Sequence, residues 1–199
     1  MDSFTKTYLD ESVQLLQRLD HASVEALAAG LAATRDGGGR LFILGVGGSA
    51  GHAGHAVNDF RKLCGFEAYA PTDNVSELTA RTNDEGWDTT FSGWLRGSRL
   101  CEGDALLVFS VGGGDRERNI SANLVRAVEL AREVRASVFG IVGRDGGFTR
   151  RHADACVLIP MAHAGRTTPH TEGLCAVIWH LLVSHPTLQL RATKWESMT

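Results

Sequence analysis

The sequence predicts an α/β fold in which an open parallel sheet is covered by helices on both faces. Four short apolar runs of similar length recur along the chain, at residues 40–45, 104–110, 137–142 and 155–159. Helical patterns separate them, and the three strongest lead directly into glycines. Apolar runs of this kind are typical of parallel strands buried on both faces, and their alternation with helices implies right-handed crossovers. Ligands of such sheets bind where the strands end.

The elements follow in order along the chain. Apolar residues at helical spacing predict two antiparallel helices between Phe4 and Ala33, interrupted near residues 20–23, where Asp20 or Ser23 is positioned to cap the second. Further helices are predicted after the first strand, at 121–135, less clearly at 148–152, and at 171–184, with a weak strand at 67–70. We expect one domain, with helices at 1–36, an α/β core at 37–185 and an irregular tail at 186–199.

Charge and cysteine content exclude several classes of protein. The 199 residues include 20 Lys and Arg against 23 Asp and Glu, a formal net charge of −3. This balance does not fit a general nucleic-acid binder or a protein with a basic partner surface. The four cysteines form no C-x-x-C pair and are too sparse for a disulfide scaffold, so we expect reduced, buried thiols at Cys64, Cys101, Cys156 and Cys175.

The sequence also predicts a cytoplasmic protein with no membrane partner. The first residues are partly acidic and contain no apolar segment of the kind found in secretory signals. The longest apolar stretch, at residues 174–183, contains a histidine and is about half as long as a membrane span.

Two glycine-rich loops are candidate phosphate sites. The first, residues 45–50, follows a strand and precedes a helix, so bare amides, the Ser49 hydroxyl and the helix N-terminus suit a phosphate. It is neither a Walker A loop nor a complete G-x-G-x-x-G motif, and a tight turn without a ligand is the alternative. The second loop, residues 110–121, occupies the same kind of position. Two such loops on one sheet edge favour a phosphorylated ligand.

Histidines and carboxylates at helical spacing are candidate metal ligands. His55 and Asp59 lie four residues apart, so they share one helix face, where a surface hydrogen bond is the alternative to a metal site. His180 interrupts an apolar helix and is either a ligand or a satisfied core histidine. Glu172 lies eight residues earlier, about 12 Å away along a straight helix, and meets a common ion only by reaching back from the helix start.

Several motifs together point to a known family. They are Gly-Val-Gly-Gly-Ser-Ala at 45–50, the segment from Thr72 to Asn83-Asp84, Val-Gly-Arg-Asp-Gly-Gly at 142–147, and the helix with His180. In this order they resemble the phosphoheptose isomerases of the sugar-isomerase (SIS) domain family, from about residue 3 to 185. The resemblance implies a doubly wound, five-stranded parallel sheet in a three-layer αβα fold. It also implies a homotetramer, or dimer of dimers, with active sites at subunit interfaces.

The resemblance also assigns site residues. It implies a metal set of His55, Asp59, Glu172 and His180, with Asp59 or Glu172 as the base and His180 moving protons at oxygen and C2. The implied substrate-binding residues are Val46, Gly47, Gly48, Ser49, Asn83, Asp84, Ser110, Val111, Gly112, Ser121 and Glu172.

Four departures from the family pattern alter this site. Val46 replaces an asparagine, Asp59 a glutamate and Glu172 a glutamine, and an insertion at 115–118 interrupts the phosphate loop. The metal set becomes two imidazoles and two carboxylates, which predicts Zn²⁺ or a similar divalent ion, one per subunit. In the phosphate loop, we expect amides of the glycines at 112–114, with Arg116 or Arg118, to replace the missing hydroxyls.

The expected activity is aldose–ketose isomerisation through an enediol. The resemblance implies conversion of D-sedoheptulose 7-phosphate to D-glycero-D-manno-heptose 7-phosphate, in heptose biosynthesis. Val46 and the insertion keep an isomerase of another phosphosugar open. A non-catalytic SIS protein that binds a phosphosugar or regulates a partner is the remaining alternative, although such a protein has no need of all four metal-set residues.

Overall fold

The computed structural model describes residues 3–198 and contains eight α-helices around one five-stranded sheet. The helices are α1 (Phe4–Gln17), α2 (His21–Asp36), α3 (Gly48–Cys64), α4 (Val75–Glu85), α5 (Thr90–Gly97), α6 (Ala122–Glu133), α7 (Gly147–His152) and α8 (Thr167–Ser184). The strands are β1 (Leu41–Leu44), β2 (Ala68–Tyr69), β3 (Ala105–Ser110), β4 (Ser137–Val142) and β5 (Ala155–Leu158). Short 3₁₀ turns occur at Trp87–Thr89, Ala164–Arg166 and Glu196–Met198. The predicted α/β class is confirmed.

All five strands are parallel, in the order β2-β1-β3-β4-β5. Leu41 of β1 lies opposite Ala68 on one side and Ala105 on the other. The chain therefore passes from β1 outward to β2 and then returns to β3 across the sheet. The carboxyl ends of β1 and β3 form the switch point at which sheets of this type bind ligands.

Alternating residues of the strands face two hydrophobic cores, because successive side chains of a strand point to opposite faces. Leu41 and Ile43 pack into one core, with residues of α1, α2, α3 and α8. Phe42 and Leu44 pack into the other, with residues of α5, α6 and α7. The sheet is thus the middle layer of three, with helices on each side.

The break between the first two helices lies where the sequence predicted it. The Asp20 side chain accepts the amide of Ala22 and caps α2. The Ser3 side chain accepts the amide of Lys6 and caps α1. Such caps satisfy amides that have no partner within the helix.

The structure differs from the prediction in three places. No helix is predicted from the sequence between residues 71 and 100, where α4 and α5 form. None of the residues of α4 is buried, so the segment has no apolar stripe to reveal it. Helix α8 begins at Thr167, with Pro169 in its first turn, where a missing amide costs no hydrogen bond. All four thiols are free, and Cys64 and Cys175 are buried, but Cys156 is only partly buried and Cys101 is exposed, contrary to expectation.

Desolvation affects the chemistry of buried Cys64 and of partly buried Cys156. Desolvation raises the pKa of Cys64 and of Cys156 to about 11. Within residues 3–198, the helices are all too short or too polar to cross a lipid bilayer.

A polar clamp joins α1 to the start of α8. Arg166 donates from Nε to Glu11 at 2.8 Å, and His170 Nε2 lies 2.9 Å from the same carboxylate. The His170 ring is buried and stacks on Tyr8 at a centroid distance of 4.3 Å. Hydrogen bonds from Arg166 and His170 lower the pKa of Glu11 to about 2.

Because the pKa of Glu11 is depressed in the folded state, its stabilising contribution is present above the ordinary carboxyl pKa and is lost as the pH falls toward 2. We expect Glu11→Gln to unfold at lower urea concentration than the wild type at pH 7, with the difference shrinking between about pH 4.5 and pH 2. Glu25→Gln is the control, because Glu25 is exposed and only meets His185 at 3.2 Å. A difference that stays constant with pH would contradict this account.

Candidate active site

A small cavity lies at the switch point, between the ends of β1 and β3. Its volume is about 170 Å³, and its lining residues are Val46, Ser49, Phe109, Ser110, Val111, Ser121 and Glu172. We call it the substrate cavity. Six of these residues belong to the predicted substrate-binding set, and Phe109 is the residue that sequence reasoning missed, because it reads as an ordinary strand residue. Three serines and the N-terminus of α3 around one cavity suit an anionic group.

A carboxylate from α8 lies against the β1–α3 turn in this cavity. A Cβ added at Gly48 would lie 2.6 Å from Oε2 of Glu172, so a larger residue there would require the Glu172 side chain to move. Gly47 and Gly48 are exposed beside the cavity, and Ser49 is buried in the first turn of α3. The close approach places Glu172 at the start of α3, where the helix dipole favours a negative charge.

The glycines after β3 serve mainly to pack two loops together. The carbonyls of Gly113 and Gly114 accept the amides of Thr149 and Phe148 at the start of α7. A Cβ at Gly113 would lie 1.9 Å from the carbonyl oxygen of Gly146. The Gly113 amide already donates to Ser110 Oγ at 3.0 Å, so it is not free for a phosphate.

The arginines of the insertion also differ from the expected arrangement. Arg116 pairs with Glu129 at 3.0 Å, and neither Arg116 nor Arg118 lines the substrate cavity. The expectation that they replace the missing hydroxyls is not met, because an antiparallel bridge between Asp115 and Ile120 folds the insertion into its own closed loop.

Three of the four predicted metal ligands lie together. One ligand atom from each of His55, Asp59 and His180 falls within 4.8 Å of the others. His55 Nε2 is 3.6 Å from Asp59 Oδ2, too far for a good hydrogen bond. His55 and His180 are exposed, so the alternative of a core histidine is wrong for His180. We call these residues the metal group.

This metal group fits a divalent ion such as Zn²⁺. His180 Nδ1 lies 2.8 Å from the Ala176 carbonyl, which only accepts, so the proton is on Nδ1 and Nε2 is left as a ligand atom. A hydrogen bond from the other ring nitrogen to a carbonyl is the usual support for a ligating histidine. Two imidazoles and one carboxylate also form a common catalytic zinc set, with a fourth position open to substrate.

Trp179 contacts both histidines, a role that the sequence did not predict. Its fully buried ring stacks on His180 at a centroid distance of 3.5 Å and meets His55 edge-on at 4.7 Å. The sequence signal was present, since Trp179 precedes His180, but the residue reads as part of an apolar helix face. Its position limits the movement of both histidine side chains of the metal group.

Glu172 lies apart from the metal group, although it shares α8 with His180. Its carboxylate faces Gly48 in the substrate cavity, because about two helical turns separate the two residues. Asn83 and Asp84 are exposed in the last turn of α4, where the Asn83 amide donates to Asp84 at 2.8 Å, and they do not line the substrate cavity. Val111 lines it, but Gly112 does not.

Proteins of known family resemble this chain over most of its length. The family model described as SIS domain matches residues 7–143. Lincomycin biosynthesis protein LmbN of Streptomyces lincolnensis is 34% identical over 194 residues, covering 92% of this chain and 69% of that protein. A phosphoheptose isomerase of Trichlorobacter lovleyi is 33% identical over 190 residues, covering 92% of this chain and 91% of that protein.

A solved structure extends this likeness to the fold. Phosphoheptose isomerase GmhA from Neisseria gonorrhoeae aligns with a TM-score of 0.78 and 26% identity, covering 90% of this chain and 95% of that one. The sequence resemblance, the five-stranded parallel sheet and the cavity at its switch point are all accounted for by one assignment. The chain belongs to the SIS domain family.

Proposed function

We propose that the protein is an aldose–ketose isomerase that converts D-sedoheptulose 7-phosphate to D-glycero-D-manno-heptose 7-phosphate in the cytoplasm, as a step of heptose biosynthesis. One observation carries this: helices α3 and α8 each contribute to both the substrate cavity and the metal group. Ser49 and Glu172 lie in the cavity. His55 and His180 follow on the same helices, about 9 and 12 Å further along their axes. An extended sugar phosphate has a comparable length.

The relatives support the choice of reaction. Proteins named phosphoheptose isomerase match the chain at about one third identity over most of its length. The metal group is kept even though Asp59 replaces the family's glutamate. A protein that only bound phosphosugars would have no need of a ligand set with a free His180 Nε2, so an enzyme is favoured over a binding module.

The metal group would hold one Zn²⁺ or similar ion per chain. When bound, the ion supplies Lewis acidity at the carbonyl oxygen and at the enediolate oxygens. His55, Asp59 and His180 are the proposed ligands, and the hydrogen bond from His180 to Ala176 holds the imidazole in the tautomer that a ligand needs.

The remaining residues bind substrate and move protons. The hydroxyls of Ser49, Ser110 and Ser121, with the N-terminus of α3, hold the phosphoryl group. Two carboxylates are candidates for the base: Asp59 in the metal group and Glu172 in the substrate cavity. The base takes the proton from C1 and returns it at C2, while the hydroxyl proton passes from O1 to O2, so the isomerisation is balanced.

The quaternary arrangement is part of the proposal. Leu9 and Val13 on α1 are 58% and 52% exposed, and Val177 and Leu181 on α8 are 46% and 45% exposed. Leu16 of α1 lines one largely apolar groove with both α8 residues. Exposed apolar residues of this kind favour association, here into a homotetramer with sites at subunit interfaces. Its check is the mass of the protein in solution.

The test is product formation from sedoheptulose 7-phosphate in D₂O. We expect the metal-loaded protein to form the heptose 7-phosphate with deuterium at C2, detected by NMR, because a proton held on a carboxylate exchanges with solvent. A chelator should stop the reaction, and added Zn²⁺ should restore it. Absence of the aldose product with every heptulose phosphate and metal tried would contradict the proposal.

An isomerase of another phosphosugar is the second candidate. Apolar Val46 lines the substrate cavity where the family has an amide, and the closed loop at 115–120 lies beside the phosphate loop. A relative that covers 92% of this chain is named for lincomycin biosynthesis. A panel of ketose phosphates separates the two candidates: a kcat/KM at least about tenfold higher for another chain length would select this one.

A further inference from the structure

A second cavity, lined by arginines, lies beside the substrate cavity. Its volume is about 510 Å³, and it opens between the closed loop at 115–120 and the loop that joins β4 to α7. The charged and hydroxyl side chains that line it are Arg118, Arg144, Arg151, Asp115, Asp145 and Thr168. We call it the arginine cavity. The proposed isomerisation uses none of these charged side chains.

The arginine side chains of this cavity are free to bind a ligand. Within residues 3–198, the guanidinium groups of Arg144 and Arg151 have no hydrogen bond or ion pair to a side chain or carbonyl. Arg118 reaches only Asp115, with Nε 3.8 Å from Oδ2. Two of the three cations that line the cavity therefore have no counter-ion, and an anion that entered would supply one.

The two carboxylates of the cavity cancel only part of this charge, because two aspartates face three arginines, and both aspartates are also held by backbone amides. Asp115 Oδ1 accepts the amides of Glu117 and Arg118 at 2.9 and 3.0 Å. Asp145 Oδ1 accepts the amide of Gly147 at 3.1 Å. The cavity is thus locally cationic in a chain with a net charge of −3.

Both walls of the arginine cavity are rigid. Asp115 and Ile120 exchange two backbone hydrogen bonds, at 2.9 and 3.0 Å, which close the loop that carries Arg118. The bonds from the start of α7 to Gly113 and Gly114 tie the second wall to the first. Arg144 has a φ of +53°, an uncommon value for a residue other than glycine. Such backbone conformations persist at ligand sites that the surrounding structure holds in place.

We propose that the arginine cavity binds a phosphoryl group of a second ligand, separate from the sugar phosphate of the substrate cavity. Planar guanidinium groups match the oxygens of a phosphate in paired hydrogen bonds, and the cavity has room for inorganic phosphate or a phosphate ester. Val111 lines both cavities, so an occupant of one contacts the wall of the other. This inference does not depend on the proposed isomerase activity.

The test is equilibrium dialysis of labelled inorganic phosphate against the full chain, loaded with Zn²⁺. We expect two sites in the wild type, one per cavity. Arg144→Gln and Arg151→Gln should each weaken one site about tenfold or more and leave the other unchanged, because each removes a charged hydrogen-bond donor. Arg151→Lys keeps the positive charge but not the planar guanidinium group, so its phosphate affinity should lie between those of the wild type and Arg151→Gln.

Arg150→Gln is the matched control, since Arg150 neighbours Arg151 on α7, is exposed, and does not line the arginine cavity. A single phosphate site in the wild type, or equal weakening in Arg150→Gln and Arg151→Gln, would overturn the proposal. Ser121→Ala should weaken only the other site. If Ser121→Ala changes nothing, the assigned substrate cavity fails while the arginine cavity stands.

A second arm identifies the source of the phosphoryl group. The dialysis is repeated with a nucleoside monophosphate as competitor. If the nucleoside monophosphate displaces labelled phosphate from the arginine cavity at a lower concentration than unlabelled phosphate does, the ligand of the cavity is a phosphate ester. If it needs an equal or higher concentration, the ligand is inorganic phosphate. Both results support a phosphoryl site there.

Discussion

His180→Ala is expected to remove bound divalent metal almost completely and to lower kcat/KM about 10³-fold or more, because a ligand and the Lewis acid are lost together. His180 supplies the ligand from α8, whereas His55 and Asp59 both come from α3. With alanine in place, two donors on one helix remain, too few for a structured zinc site. Metal content per chain, measured on purified protein by atomic emission, is the first readout and needs no substrate.

His152→Ala is a matched control for this substitution. Like His180, His152 has Nδ1 2.8 Å from the carbonyl four residues earlier and stacks on an aromatic ring, here Phe148 at 3.9 Å. It lies outside the metal group. His152→Ala therefore removes a histidine with the same kind of contacts as His180 but removes no proposed metal ligand. Full metal content in His180→Ala would refute the metal group, and low content in both variants would point to general destabilisation.

The strands could be predicted from the sequence because a strand that is buried on both faces is a continuous run of apolar residues. The run at residues 104–110 became β3 at Ala105–Ser110, and the run at 137–142 matches β4 to the residue. Helix α4 has no comparable apolar pattern, since its residues are all at least partly exposed. A helix without a buried face is stabilised by its cap, here Asn74, and by its surroundings.

The site could be predicted where the spacing of residues along one helix determines which side chains lie next to each other. His55 and Asp59, four residues apart, meet as expected on α3. The position of Glu172 depended on α3 and α8 packing together, which no local pattern encodes. The glycines at 113 and 114 suggested a phosphate cradle, but their main partners are the first amides of α7, far along the chain.

If Glu172 is the base, Glu172→Gln should lower kcat about 10²- to 10⁴-fold while leaving the metal content unchanged, since it removes a proton acceptor and keeps the shape of the side chain. The glutamine also removes a negative charge from the substrate cavity, beside the three serines. KM should therefore stay the same or fall, because repulsion of the phosphoryl group is reduced. Steady-state kinetics on protein of known metal content measures both changes.

Gly48→Ala tests the same assignment without altering Glu172. The new Cβ would lie 2.6 Å from Oε2 of Glu172, so the carboxylate must move, and kcat should fall with metal content unchanged. Gly51→Ala is its control on the same helix, because an added Cβ there meets nothing within 4 Å.

Asp59→Asn separates the two candidate bases. If Glu172 is the base, Asp59→Asn should weaken metal binding, and added Zn²⁺ should restore much of the activity. Glu172→Gln should not be rescued in this way, because its defect is in proton transfer. Full activity in Glu172→Gln, together with an inactive Asp59→Asn that keeps its metal, would transfer the role of base to Asp59.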